Sequence, residues 1–240
     1  MGTARHRDTF SSARHDATKP NNGLSPVNPI SRLYSFYTRN GFNATVVRVG
    51  MAFRRFSYFG RMVLFSCPLP IDQFAKNGQV RVERVGRTTI SKKDYERLID
   101  VWNPSGRERQ MADRFEAGGE LWLAKIDDRL AGFGWTIKGR TVEPHFFPLQ
   151  SGDVHFFDFF VFPDFRGHGV NGALVAEILN QLGGESACRA HIECAAWNTA
   201  QLRSLRKTAF RRYGEATKVT FFGHLWVKWH RATAAFLSDR

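Results

Sequence analysis

From Val80 onward, short apolar runs alternate with amphipathic ones in the order expected of a mixed α/β sheet. Val80, Val82 and Val85 alternate with charged residues as a strand. Ser91 then precedes a helix through about Trp102, with Asp94 at capping-box spacing. Pro104 and Gly106 interrupt it, and a second helix runs from about Glu108 to Ala117. Leu121, Leu123 and Ile126 begin a strand, Asp127-Asp128 turns it, and Leu130 to Ile137 return beside it. His155 to Phe162 is almost wholly apolar except Asp158, which suits a central strand covered on both faces. Ala173, Leu174, Ile178 and Leu182 then repeat at helical spacing until Gly183-Gly184. Ala190 to Trp197 reads as another buried strand, Asn198 to Phe210 as a helix, and Thr217 to Trp229 as the final strands.

Before Val80 the pattern changes. Residues 1–29 are polar, rich in Ser, Thr, Asn and Pro, and are expected to be a disordered tail. Residues 30–78 form a basic, aromatic-rich extension ahead of the domain at 79–240. Within it, Asn43 caps a predicted helix to about Tyr58 that mixes Val46, Met51 and Phe53 with Arg48, Arg54 and Arg55. Such a helix packs on a domain or, over residues 43–61, lies peripherally on a membrane surface. Arg61 to Cys67 reads as a strand stopped by Pro68 and Pro70.

Charge sharpens the picture. The net charge is +13, and residues 1–78 supply +8 of it through eleven Lys or Arg against three acids. That field favours anionic partners. No nucleic-acid-binding signature accompanies it, so no specific nucleic acid is expected, although charge alone leaves that class open. No signal-peptide core or spanning segment is read, which places the chain in the cytoplasm. Three cysteines without a CxxC pair suggest a reducing compartment, and no metal is expected from their spacing. Cys188 and Cys194 are both expected on the buried strand. Twenty-two Phe residues fill the core or line a wide apolar pocket.

The chemistry concentrates in Val161-Phe-Pro-Asp-Phe-Arg-Gly-His-Gly-Val-Asn-Gly-Ala-Leu174. A strand ends, a glycine-containing loop follows, and a helix starts directly after it. Main-chain N–H groups at a helix start lack internal partners and, with the helix dipole, bind anions such as a pyrophosphate. Gly167 and Gly169 permit close approach, and Arg166 adds a fixed positive charge. A Gly-x-Gly loop alone is weak evidence. It is not read as a dinucleotide fingerprint, and no Gly-Lys-Ser/Thr follows, as a Walker loop requires.

This segment resembles the GNAT superfamily of N-acyltransferases, whose acyl-CoA loop reads Arg/Gln-x-x-Gly-x-Gly/Ala. Arg166 and Gly169 match, and Asn171 replaces the last small residue, a substitution that a left-handed backbone tolerates. Val161-x-Pro163-x-Phe165, the element order from Val80 to Trp229, and Asn198 with Ala209-Phe210 also fit. The resemblance implies a mixed central sheet, acetyl-CoA as acyl donor and an amine acceptor. Phe160, Val161 and Phe162 would bind pantetheine through their backbone. Arg166, Gly167, His168, Gly169, Val170, Asn171 and Gly172 would hold the pyrophosphate, with Asn198 beside them. Leu205 stands where many members carry the Tyr that protonates the leaving thiolate. His155 occupies the position of a glutamate base in some members, and is otherwise a strand-end histidine bonded to solvent. Asp158 is the alternative base, its pKa raised if buried among aromatics. Glu143 and His145 precede this strand and could reach the same cleft. The competing expectation is a CoA-binding regulatory module without catalysis.

Overall fold

The computed structural model describes residues 37–38, 60–71, 78–100, 107–143, 145–221 and 224–232. The chain divides into two units, Met1–Met51 and Ala52–Arg240, and every element named below belongs to the second. The tail at 1–29 and the helix at 43–58 lie outside the described residues.

The strands are β1 (Met62–Pro68), β2 (Arg81–Val85), β3 (Glu120–Ile126), β4 (Arg129–Lys138), β5 (Asp153–Val161), β6 (Arg189–Ala195), β7 (Arg211–Phe221) and β8 (His224–Ala232). The helices are α1 (Lys92–Asp100), α2 (Arg107–Glu116), α3 (Val170–Gly183) and α4 (Thr199–Leu205). One sheet contains all eight strands in the order β2-β3-β4-β5-β6-β1-β7-β8. β5 and β6 run parallel, and the other pairings are antiparallel, so the sheet is mixed as the pattern predicts.

Local chemistry sets the helix ends. The Asp94 N–H donates to Ser91 Oγ at 3.1 Å and the Ser91 hydroxyl donates back to the Asp94 carboxylate at 2.7 Å, closing the cap of α1. Asn198 caps α4 by accepting the Gln201 N–H at 3.1 Å. The helix predicted to reach Phe210 stops at Leu205, whose carbonyl is taken by the Thr208 hydroxyl at 2.6 Å.

β1 is an interior strand. It precedes the stretch where the regular pattern begins, yet it pairs with β6 along Met62–Pro68 and with β7 along Met62–Ser66. Its alternation explains the place. Val63, Phe65 and Cys67 join the main core with Leu174, Val175, Ile178 and Leu179 of α3. Leu64 points the other way, onto Tyr213 and Ala216.

β5 positions the site. Its first half, Asp153 to Phe156, pairs with Arg189 to Ile192 of β6, and the pairing goes no further. The second half stays on β4, but with a slip: Phe157 faces Trp135 while Phe160 faces Phe133. One extra residue on β5 makes a β-bulge. Asp158 carries it with φ +50°, a conformation that Asp and Asn tolerate better than most residues. The Phe159 ring lies over Gly134, where an added Cβ would meet it at 2.6 Å. Thus β5 bends away from β6 just where the glycine loop follows.

Candidate functional site

Where the two strands part, a cleft of about 440 Å³ opens between β5, the start of α3 and α4. Val161, Arg166, Gly167, Gly169, Val170 and Asn171 line it, with Phe160, Gly172 and Asn198. Most of the residues that the resemblance implicates in binding are therefore brought together. Two are not on its wall. Phe162 turns inward, beneath the Arg97 guanidinium at 4.3 Å, and its N–H bonds the Ala131 carbonyl at 2.9 Å. His168 is exposed, its Nδ1 3.2 Å from the Arg166 carbonyl oxygen.

The loop has the electrostatics of an anion cradle. No main-chain N–H from Gly167 through Gly172 has an acceptor among the described residues; the first that does is Ala173, bonded to Gly169 at 3.0 Å. Gly169 is the N-cap of α3 and no side chain caps it. Gly167 and Gly169 take φ +88° and +73°. The left-handed backbone considered at Asn171 falls on these glycines instead, and Asn171 is helical. Added Cβ atoms at Gly167 or Gly172 would meet nothing within 4 Å, so the space beside the amides is open. Arg166 Nε donates to the Val161 carbonyl at 3.4 Å, which holds the guanidinium next to this row.

The spacing Gly167-x-Gly169-x-x-Gly172 does carry the dinucleotide pattern, so spacing alone does not set that reading aside. Topology does. A dinucleotide site sits in a mostly parallel sheet, whereas here β5–β6 is the one parallel pair among the described strands.

The side chains that could move protons are scattered. Asp158 is half-exposed, immediately before the cleft-lining Phe159, and is ion-paired with Arg114 of α2, a partner the sequence does not reveal. The expected isolation among aromatics is therefore absent. Glu143 is exposed, with Lys218 Nζ 3.9 Å away. On α4, Ser204 lines the cleft and its Oγ accepts Asn171 Nδ2–H at 2.7 Å, while Leu205 is wholly buried.

His155 lies elsewhere, on the face of the sheet that carries His145, His191 and Glu193. Its Nε2 is 2.8 Å from Glu193 Oε2, it is 5% exposed, and its Nδ1 is buried without a hydrogen bond. The solvent-bonded alternative for His155 is thereby removed. His145 Nδ1 is 3.8 Å from the same carboxylate oxygen, and neither of its ring nitrogens has a hydrogen-bond partner. Each such orphan costs about 1–3 kcal/mol. Burial pushes the His145 pKa down to about 4, overcoming the pull of Glu193. Burial would push Glu193 up, but the charge and hydrogen bond of His155 outweigh it and hold the carboxyl below its usual range. The ligand atoms of His145, His155 and Glu193 lie within 4.8 Å of one another, close enough to hold a metal ion.

The two buried thiols offer no nucleophile. Burial pushes Cys67 up to about 11 and Cys194 up to about 12. Cys188, expected on the buried strand, sits one residue before β6 and is exposed. Among the described residues, no helix is long and apolar enough to cross a membrane.

Comparison with known proteins gives the same outline. Residues 88–210 match the acetyltransferase (GNAT) family. A GCN5-related N-acetyltransferase from Sphaerobacter thermophilus aligns over 71% of this chain and 52% of its own, at 14% identity and TM-score 0.51. An acetyltransferase from Bacillus subtilis, solved in complex with CoA, aligns over 55% and 76%, at 20% identity and TM-score 0.42. An IAA acetyltransferase from Bacillus cereus aligns over 61% and 92%, at 18% identity and TM-score 0.43. At these identities the likeness is one of fold. Four of the similar structures are spanned over only 50–61% of their length. No curated protein matches the chain.

Proposed function

Because this chain belongs to the acetyltransferase (GNAT) family, we propose that it transfers an acyl group, acetyl foremost, from acyl-coenzyme A to a primary amine of a small molecule, sugar or peptide. The observation that carries this reading is the row of partnerless amides from Gly167 to Gly172, opening on a cleft at the start of α3. Such a row suits a pyrophosphate, with Arg166 as counter-charge. The pantetheine arm would lie along β5 beyond Phe156, where β6 no longer covers it.

The neutral amine attacks the thioester carbon: a C–N bond forms, the C–S bond breaks, and the thiolate leaves. Asp158, next to the cleft wall and half-exposed, takes the amine proton. His155 is a poorer choice, since one ring nitrogen faces Glu193 and the other is sealed from solvent. The Ser204 hydroxyl, its oxygen already accepting from Asn171, donates a hydrogen bond that steadies the departing thiolate, which recovers through solvent the proton that Asp158 took. Leu205, packed in the core, offers the thiolate no polar group.

Calorimetric titration with acetyl-CoA tests this, using Gly172→Leu. The Cβ it adds meets no atom within 4 Å and leucine favours the helix, so the fold should hold while the cradle fills. Affinity should fall by about tenfold or more, equivalent to about 1.4 kcal/mol. Equal binding by both proteins would overturn the assignment. Thiol release across a panel of amines tests transfer; tight binding without release would leave a CoA-binding module.

A further inference from the structure

We propose that His145, His155 and Glu193 form a buried binding site for a divalent late first-row transition-metal ion, zinc foremost. The site goes beyond acyl transfer and uses no residue of the cleft wall. Three segments supply it: the loop before β5, β5 itself and β6. Two imidazoles and one carboxylate are a donor set common to zinc.

The distances are near those of a bound ion. Donors about 2.0–2.2 Å from one tetrahedral ion stand about 3.3–3.5 Å apart. Glu193 Oε2 is 2.8 Å from His155 Nε2 and 3.8 Å from His145 Nδ1, on either side of that spacing. All three donors fall within 4.8 Å, so small side-chain rotations would seat the ion.

An independent observation points the same way. His145 is 7% exposed and both of its ring nitrogens lack hydrogen-bond partners. The phenyl rings of Phe146 and Phe147 stand edge-on to its imidazole, at 5.5 and 4.7 Å, and offer it no acceptor. Buried polar groups without partners are rare unless an ion or a water completes them. An ion at His145 Nδ1 satisfies one of those nitrogens and neutralises a buried carboxylate. Its place suggests what it does. It would clamp the loop that carries His145 onto β5 and β6, close to the last residues these strands share.

The full chain, grown with added zinc and purified without chelator, is analysed for metal by mass spectrometry beside His145→Asn and Glu193→Gln. About one zinc ion per chain is expected in the parent, and at least tenfold less in each variant. Exchange with cobalt should give the intense visible bands of a four-coordinate ion in the parent alone. Should the variants fail to fold, the parent decides: chelator should lower its melting temperature and zinc restore it. A folded parent that holds no metal, a melting temperature indifferent to both reagents, or variants that keep the metal would overturn the proposal. Metal content is read without acetyl-CoA, so the Gly172→Leu result and this one stand or fall separately.

Discussion

The two halves of β5 share one backbone and two environments. Over Asp153–Phe156 the strand has neighbours on both edges, its side chains are buried, and its polar groups are handed to His191, Glu193 and the loop above. From Phe157 on, the β6 edge is given up, most side chains are half-buried, and the loop's amides face open space. One inserted residue at Asp158 separates the two regimes. A sheet can therefore build a binding cleft without a separate pocket domain, by ceasing to pair on one side.

Substitutions can break this contrast in graded fashion. The largest effect belongs to Phe156→Ala, which removes a fully buried ring stacked on Phe159 and edge-on to Phe210. A loss of about 3–5 kcal/mol in denaturant unfolding is expected, and the cleft goes with it. Gly134→Ala comes next. Its methyl group meets the Phe159 ring at 2.6 Å, so the bulge must shift, at about 1–3 kcal/mol. Acetyl-CoA affinity should fall alongside stability, and undiminished affinity would show that the bulge does not shape the cleft. Asp158→Asn keeps the tolerated backbone but loses the carboxylate. We expect kcat with a saturating amine to drop about tenfold or more, with acetyl-CoA binding little changed. Ser204→Ala should be mildest, lowering turnover by less than about tenfold and leaving the melting temperature within a few degrees of the parent's.

Much of this was legible beforehand, for identifiable reasons. The cap at Ser91, the Asp127-Asp128 turn and the strand–glycine loop–helix junction rest on contacts a few residues apart, which spacing reveals. Asn198 at the head of α4 was found the same way. What escaped depends on distant partners. Arg114 reaches Asp158 from another element, and Glu193 reaches His155 across two strands. Neither pairing leaves a periodic trace. That Ser204 lines the cleft was hidden because a helix placed only approximately does not tell which of two adjacent residues faces it.

β1 has a consequence for how the molecule comes together. Made before the other described strands, it has no seat until β6 and β7, made near the end, arrive to flank it. Such long-range closure slows folding and leaves raw strand edges while the chain waits. A polypeptide cut back to residues 88–210 would keep the loop and its amides yet lack β1. It should clump rather than fold.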